Sequence, residues 1–210
     1  MSLKLIGYRY SVYTWAVRMA LAEMARAVDF QEVDPFDVAS QDGLRLQHPF
    51  TRVPVFWDGD FRIYETSAIL SYLIPPEPDA RRAARALQVA GIADSYGYLP
   101  LVRQVFSHGV FRPACGALGD EAEVAAGLAA APAVLDALEE IALEGLVLNG
   151  ATIGAADCHL APMIGYFSEF APSRALLKTR PALALWFAVV SKTGSYLSTR
   201  PDLSELRGAA

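Results

Sequence analysis

The stretch VPVFWDGDFRIYETSAILSYL, residues 53–73, decides the fold. Two short runs of β-branched and aromatic residues, Val53 to Trp57 and Phe61 to Tyr64, flank Asp58-Gly59-Asp60. An Asp-Gly pair between such runs is a strong hairpin signal, because glycine takes the positive φ that a tight turn demands. Ile69, Leu70 and Leu73 then recur at helical spacing, so a helix follows the hairpin directly. Pro54 has no N–H to give to a ladder, which predicts an edge or a bend, with a cis bond permitted there. A cis bond would leave the backbone of Val53 free to pair with a ligand. Glu65 and Thr66 fall at the start of the helix, where backbone N–H groups point outward, the dipole favours an anion and a threonine hydroxyl adds a hydrogen bond. The pattern outlines a site for a small carboxylate.

Upstream, Lys4 to Ile6 reads as a short strand, and the tyrosine-rich turn YRYSVY precedes a helical pattern opening at Thr14. Val17, Ala20, Leu21 and Met24 share one face of that helix, while Arg18 and Glu23 fall outside it. Phe30 to Val33 reads as a second strand, and strand, helix, strand within so few residues is the unit whose two strands run parallel. Asp34 to Phe50 carries Pro35, Gly43 and Pro49 and no sustained period, which predicts an irregular segment with a weak helical turn at Gly43 to Leu46. The first half is therefore a small α/β unit with a mixed sheet.

Downstream, Pro75, Pro76 and Pro78 cannot continue a helix and mark the boundary between two domains, residues 1–76 and 82–210. From Ala80 onward the chain is rich in Ala and Leu, and Val124, Leu128, Ala131, Leu135 and Leu138 keep helical spacing. An all-helical second domain follows. Pro100 and Pro132 are expected to kink or restart their helices, and Pro181 to stand in a first turn.

The 210 residues allow one large domain or two small ones. A net charge of −5, without any basic tract, argues against a nucleic-acid partner. Hydrophobic residues make up 53%, enough for a sizeable core, yet no apolar run reaches the ~20 residues of a membrane span. The opening MSLKLIGYRYS lacks the apolar core of a secretory signal. Cys115 and Cys158 form no disulfide framework and are expected to be buried small hydrophobes, which suits a reducing cytoplasm. His48, His108 and His159 show no metal spacing, so no metal is expected.

With these residues in view, the chain resembles the cytosolic glutathione transferases over nearly its whole length. Val53-Pro54, the hairpin and Glu65-Thr66-Ser67-Ala68-Ile69 match the family's Val-Pro, hairpin and Glu-Ser/Thr-x-Ala-Ile pattern. The resemblance implies a thioredoxin-like α/β N-terminal domain that binds glutathione, followed by an all-α helical-bundle C-terminal domain that holds a small hydrophobic electrophile. It implies backbone pairing of Val53 with the cysteinyl part of glutathione. Glu65 and Thr66 would hold the γ-glutamyl amino and carboxylate groups, with His48 and Arg52 near the glycyl end. Tyr98, Arg103 and Phe106 lie where the family places its electrophile pocket. A homodimer and a cytoplasmic role in detoxification are further implications.

SVYTWAVRMAL is similar to the family's other signature, and Ser11 fills the position that faces the glutathione sulfur. A free thiol of pKa about 8.5 is only a few per cent thiolate at neutral pH, and the thiolate is the nucleophile. Lowering that pKa by about two units corresponds to about 2.7 kcal/mol, within reach of one charge-assisted hydrogen bond and a helix end. Val12 stands where the family often has proline, and Tyr8, Tyr10 and Tyr13 offer alternative phenols. Serine rather than cysteine argues against disulfide exchange. In NGATIGAADCHLAPM, Gly154 takes the place of the family's Ser/Thr cap and Asp157 reads as its structural partner. The reading is a glutathione S-transferase. A non-catalytic binding module, or a glutathione-dependent peroxidase or isomerase on the same fold, is the alternative.

Overall fold

A computed structural model describes residues 2–208. The first 64 residues build a four-stranded mixed sheet of order β2-β1-β3-β4. Strand β1 (Leu3–Gly7) runs parallel to β2 (Asp29–Glu32), with helix α1 (Val12–Glu23) crossing between them. On its other side β1 pairs antiparallel with β3 (Val55–Asp58), Leu5 opposite Phe56. The hairpin closes as expected: β3 turns through Gly59, at φ 62°, into β4 (Phe61–Tyr64), with Asp58 opposite Phe61. Helix α3 (Thr66–Leu73) follows at once and buries Ile69, Leu70 and Leu73.

Three local expectations need correction. Helix α1 opens at Val12 rather than Thr14, because the Ser11 side chain accepts the Thr14 N–H and so caps the helix two residues earlier. Asp34 to Phe50 is not irregular: it holds a ten-residue helix α2 (Val38–Gln47), capped by Asp37. Only Leu44 of that helix is buried, so no apolar stripe announced it. Pro132 does not restart its helix, since α6 (Glu121–Glu144) runs continuously past it.

Beyond α3 every described secondary-structure element is a helix. Helix α4 (Ala80–Ile92) continues without a break into a π-helical stretch (Ala93–Phe111) and then α5 (Arg112–Ala114). At its end the Arg112 N–H reaches back five residues to the Ser107 carbonyl, the wider turn of a π-helix. Pro100 thus sits inside a widened helix rather than at a break. Helix α7 (Ala155–Phe167) is the central strut, buried at every position from Ala156 to Phe167. Helices α8 (Ala171–Lys178), α9 (Pro181–Val190) and α10 (Gly194–Thr199) complete the helical layer, with Pro181 in the first turn of α9 as expected.

Aromatic residues knit α1 to the helical half. Trp15 lies with ring centroids 5.1 Å from Tyr166 and 5.0 Å from Tyr196, and its indole N–H donates to Thr199 Oγ1 at 3.1 Å. Cys158 is buried as expected, but Cys115 is exposed because it closes the short α5 where the chain turns into the exposed 116–120 loop. No helix among the described residues is long and apolar enough to cross a membrane.

The end of β1 approaches α1 very closely. A Cβ at Gly7 would fall inside contact distance of Thr14 Cγ2 and 2.8 Å from Thr14 Oγ1, and Thr14 is fully buried. Gly7→Ala is therefore expected to destabilise the fold by about 1–3 kcal/mol, the usual range for overpacking. Chemical denaturation will check this, and an unchanged midpoint would mean that β1 and α1 are not packed this tightly.

Candidate functional site

A cavity of about 640 Å³ opens between the sheet edge and the helical half. Ser11, His48, Arg52, Val53, Pro54, Glu65 and Thr66 all line it, so every site residue expected from the sequence meets at one place. Tyr98, Arg103 and Phe106 reach it from the π-helical stretch, and Tyr8, Tyr10 and Tyr13 from the other side.

Ser11 ends the β1–α1 loop, half-buried, at the N-terminus of α1. Its Oγ accepts the Thr14 N–H at 3.3 Å, which leaves its own O–H proton free to donate to an anion in the cavity. The loop is fixed from behind, because the buried Tyr166 hydroxyl donates to the Tyr10 carbonyl at 3.0 Å. Three phenols surround Ser11 and are differently engaged. The Tyr10 hydroxyl turns to Glu205 at 3.5 Å, and its pKa is raised by burial and then by that carboxylate. Burial and the neighbouring Asp94 carboxylate push Tyr13 well up, while its ring packs 5.2 Å from Tyr98. Tyr8 is likewise pushed well up, by burial first and Asp34 second. All three phenols stay neutral across the physiological range.

The Val53–Pro54 peptide bond is cis, and β3 begins only at Val55, so the Val53 backbone lies beyond the end of the ladder. Glu65 then takes φ 70° and ψ 119° as the cap of α3. A positive φ strains a non-glycine residue by on the order of 1–3 kcal/mol, and such strain is concentrated at ligand sites. Thr66 is buried at the first turn of α3, and Glu65 leaves its carboxylate 65% exposed. His48 is buried beneath it, with Nε2 3.9 Å from Glu65 Oε1. The Phe50 N–H donates to His48 Nδ1 at 3.1 Å, which puts the proton on Nε2 and faces it toward Glu65. Burial lowers the His48 pKa, so the ring is neutral at pH 7. Arg52 lines the cavity from an exposed position.

The sequence reading passed over Asp94. This residue lines the cavity one helical turn before Tyr98, and its Oδ2 accepts the Ser67 hydroxyl at 3.0 Å, directly beside Thr66. Its Oδ1 lies 2.8 Å from His159 Nε2. Burial pushes the Asp94 pKa up, but the bonds from His159, Ser67 and Tyr13 outweigh burial and hold the carboxyl below the usual range. No local signal marks it in the sequence, because its partner His159 lies 65 residues away.

The cavity therefore offers carboxylates at Glu65 and Asp94, a helix N-terminus at Thr66, guanidinium groups at Arg52 and Arg103, and a hydroxyl donor at Ser11. Phe36, Phe50, Val102, Phe106 and Phe111 supply its apolar walls. This combination suits a zwitterionic ligand with an ammonium group, carboxylates and a central nucleophile.

Asp157 stands apart from this chemistry. Buried at the start of α7, it accepts the Gly154 N–H at 2.9 Å and the Trp186 indole N–H at 2.6 Å. Gly154 has no side chain to return the bond, so only the Asp157 half of a capping box is present.

Comparison with known proteins adds sequence and fold relatives. Residues 1–74 match the family model of the glutathione S-transferase N-terminal domain, and residues 121–188 that of the C-terminal domain. Glutathione S-transferase F6 of Arabidopsis thaliana is 29% identical over 206 residues, covering 92% of this chain and 96% of its own. Among solved structures, glutathione transferase F7 from Populus trichocarpa superposes with a TM-score of 0.79 at 21% identity, covering 98% of this chain and 99% of its own. A family member from Pseudomonas fluorescens Pf-5, solved with bound glutathione, gives a TM-score of 0.73 at 24% identity, covering 96% of this chain and 100% of its own.

Proposed function

We infer the function from one premise: the chain belongs to the glutathione S-transferase family, whose two domain models match its N- and C-terminal parts. It is a glutathione transferase, joining the sulfur of reduced glutathione to small hydrophobic electrophiles. The observation that carries this reading is the meeting in one cavity of Ser11, the cis Val53–Pro54 bond and the Glu65-Thr66 helix start. On this reading the γ-glutamyl carboxylate binds at the Thr66 helix start, the cysteinyl backbone pairs with Val53, and the glycyl end lies toward His48 and Arg52. The sulfur then faces Ser11 Oγ and the N-terminus of α1, both of which favour the thiolate.

In the reaction the thiolate attacks an electrophilic carbon in the apolar part of the cavity, near Tyr98, Arg103 and Phe106. With an aryl halide, a C–S bond forms, the carbon–halogen bond breaks, and halide leaves with the electron pair. The thiol proton has already passed to solvent, so Ser11 donates a hydrogen bond and transfers no proton. No step calls on a metal.

The same reading divides the chain into a thioredoxin-like domain of residues 1–76 and an electrophile-binding domain of residues 82–210. It makes the protein a cytoplasmic homodimer with a role in detoxification. The exposed Phe61 and Tyr72 rings, 5.4 Å apart, support the dimer, because apolar side chains clustered on a surface commonly mark a protein interface. Light scattering is expected to give twice the 22.7 kDa chain mass, and a monomer mass would contradict the dimer.

Calorimetric titration with reduced glutathione, followed by an aryl-halide conjugation assay, tests the function. Saturable binding at or below millimolar concentration with turnover is expected. Binding without turnover on aryl halides or organic hydroperoxides would favour a non-catalytic module, and absence of binding would overturn the reading.

A further inference from the structure

His159 is 1% exposed on the central helix α7, where every neighbouring position is buried. Its Nε2 bonds to Asp94 Oδ1 at 2.8 Å, across 65 residues of sequence. Its Nδ1 is buried and has no hydrogen-bond partner among the described residues. An imidazole held this way destabilises the core, because a buried polar atom without a partner costs about 1–3 kcal/mol and an aliphatic residue would pack there without that penalty. The hydrogen bond that keeps a histidine at this position therefore ends on a carboxylate in the wall of the functional cavity.

Asp94 is held on several sides. Ser67 Oγ binds its other oxygen at 3.0 Å, and the Tyr13 phenol lies beside the same carboxylate. Tyr13 is in turn boxed by Tyr98 at 5.2 Å and by the His159 ring at 6.2 Å, edge to face. Ser67 is the residue after Thr66, so the carboxylate is pinned next to the helix start that receives a ligand carboxylate. A carboxylate fixed beside a carboxylate-binding helix start has one chemical complement in an α-amino acid: its ammonium group.

We propose that His159 is a positioning residue that, from inside the core, locks Asp94 in the cavity wall as a second acceptor, beside Glu65, for the α-ammonium group of a γ-glutamyl ligand. This rests on the reading of the cavity as a glutathione site. The recognition element is completed within one chain, by α1, α3, the π-helical stretch and α7. Selectivity for the amino group then depends on a residue that never touches the ligand.

The test compares glutathione with glutaryl-cysteinyl-glycine, the same tripeptide without its α-amino group, by calorimetry on the full chain. Wild type is expected to prefer glutathione by about tenfold or more, the size of a hydrogen bond to a charged group. His159→Leu is expected to lose most of that preference while binding the amino-free analogue as wild type does. His159→Gln, which can still offer an N–H to Asp94, should recover part of it. Asp94→Asn marks the floor. Equal weakening of both ligands in His159→Leu, or an unchanged preference, would overturn the proposal. If His159→Leu does not fold, His159→Gln decides: a preference between those of wild type and Asp94→Asn supports the role, and one equal to wild type refutes it. Failure of wild type to bind either tripeptide would instead overturn the glutathione reading itself.

Discussion

Replacing Asp157 by alanine will destabilise the protein by about 3 kcal/mol, because one buried carboxylate accepts two N–H donors that have no alternative acceptor in view. The cap of α7 is lost at Gly154, and the Trp186 indole N–H is left buried without a partner. For a chain of this length such a loss lowers the thermal midpoint by roughly 6–12 °C. Asp157→Asn keeps one acceptor oxygen and should lose about half as much. Because Asp157 lies outside the cavity lining, the folded fraction of either variant should bind glutathione as wild type does. Thermal unfolding and calorimetry together check this, and a folded Asp157→Ala protein with an unaltered midpoint would show that the central helix needs no cap.

Ser11→Ala will lower kcat/KM for aryl-halide conjugation by about 10–100-fold near pH 6.5, with little change in glutathione affinity. Losing the hydroxyl donor raises the bound thiol pKa toward its free value of about 8.5, and below that value each unit cuts the thiolate fraction tenfold. The deficit must therefore shrink as pH rises and vanish above the free-thiol pKa, where the sulfur is ionised without help. A deficit that is constant with pH would mean that Ser11 does not act through the thiol. The neighbouring Tyr8, whose phenol stays neutral, would then be the donor to test by Tyr8→Phe.

How much of this was legible depends on how local each signal is. The hairpin at Gly59 and the helix start at Thr66 are written in adjacent residues, and both stand where the sequence put them. Helix α2 was hidden because it touches the core through Leu44 alone, so its sequence carries no period. Pro132 does not end α6, because a proline removes one hydrogen bond, which packing of Leu135 and Leu138 can outweigh. Ser11, Val53 and Thr66 could be nominated from motifs, since the chemistry at each is set by its own turn or helix end. Asp94 and His159 could not, because an aspartate on a helix and a histidine in an Ala- and Leu-rich run acquire meaning only when the fold brings them together.

The position of the sulfur's ionisation is the quantity on which the reading of the cavity turns. Ultraviolet absorption of the thiolate, followed across pH with glutathione saturating the wild-type protein, measures it directly. A midpoint near pH 6.5, about two units below the free thiol, is the predicted result. A midpoint that stays near 8.5 would mean that this cavity binds glutathione without activating it.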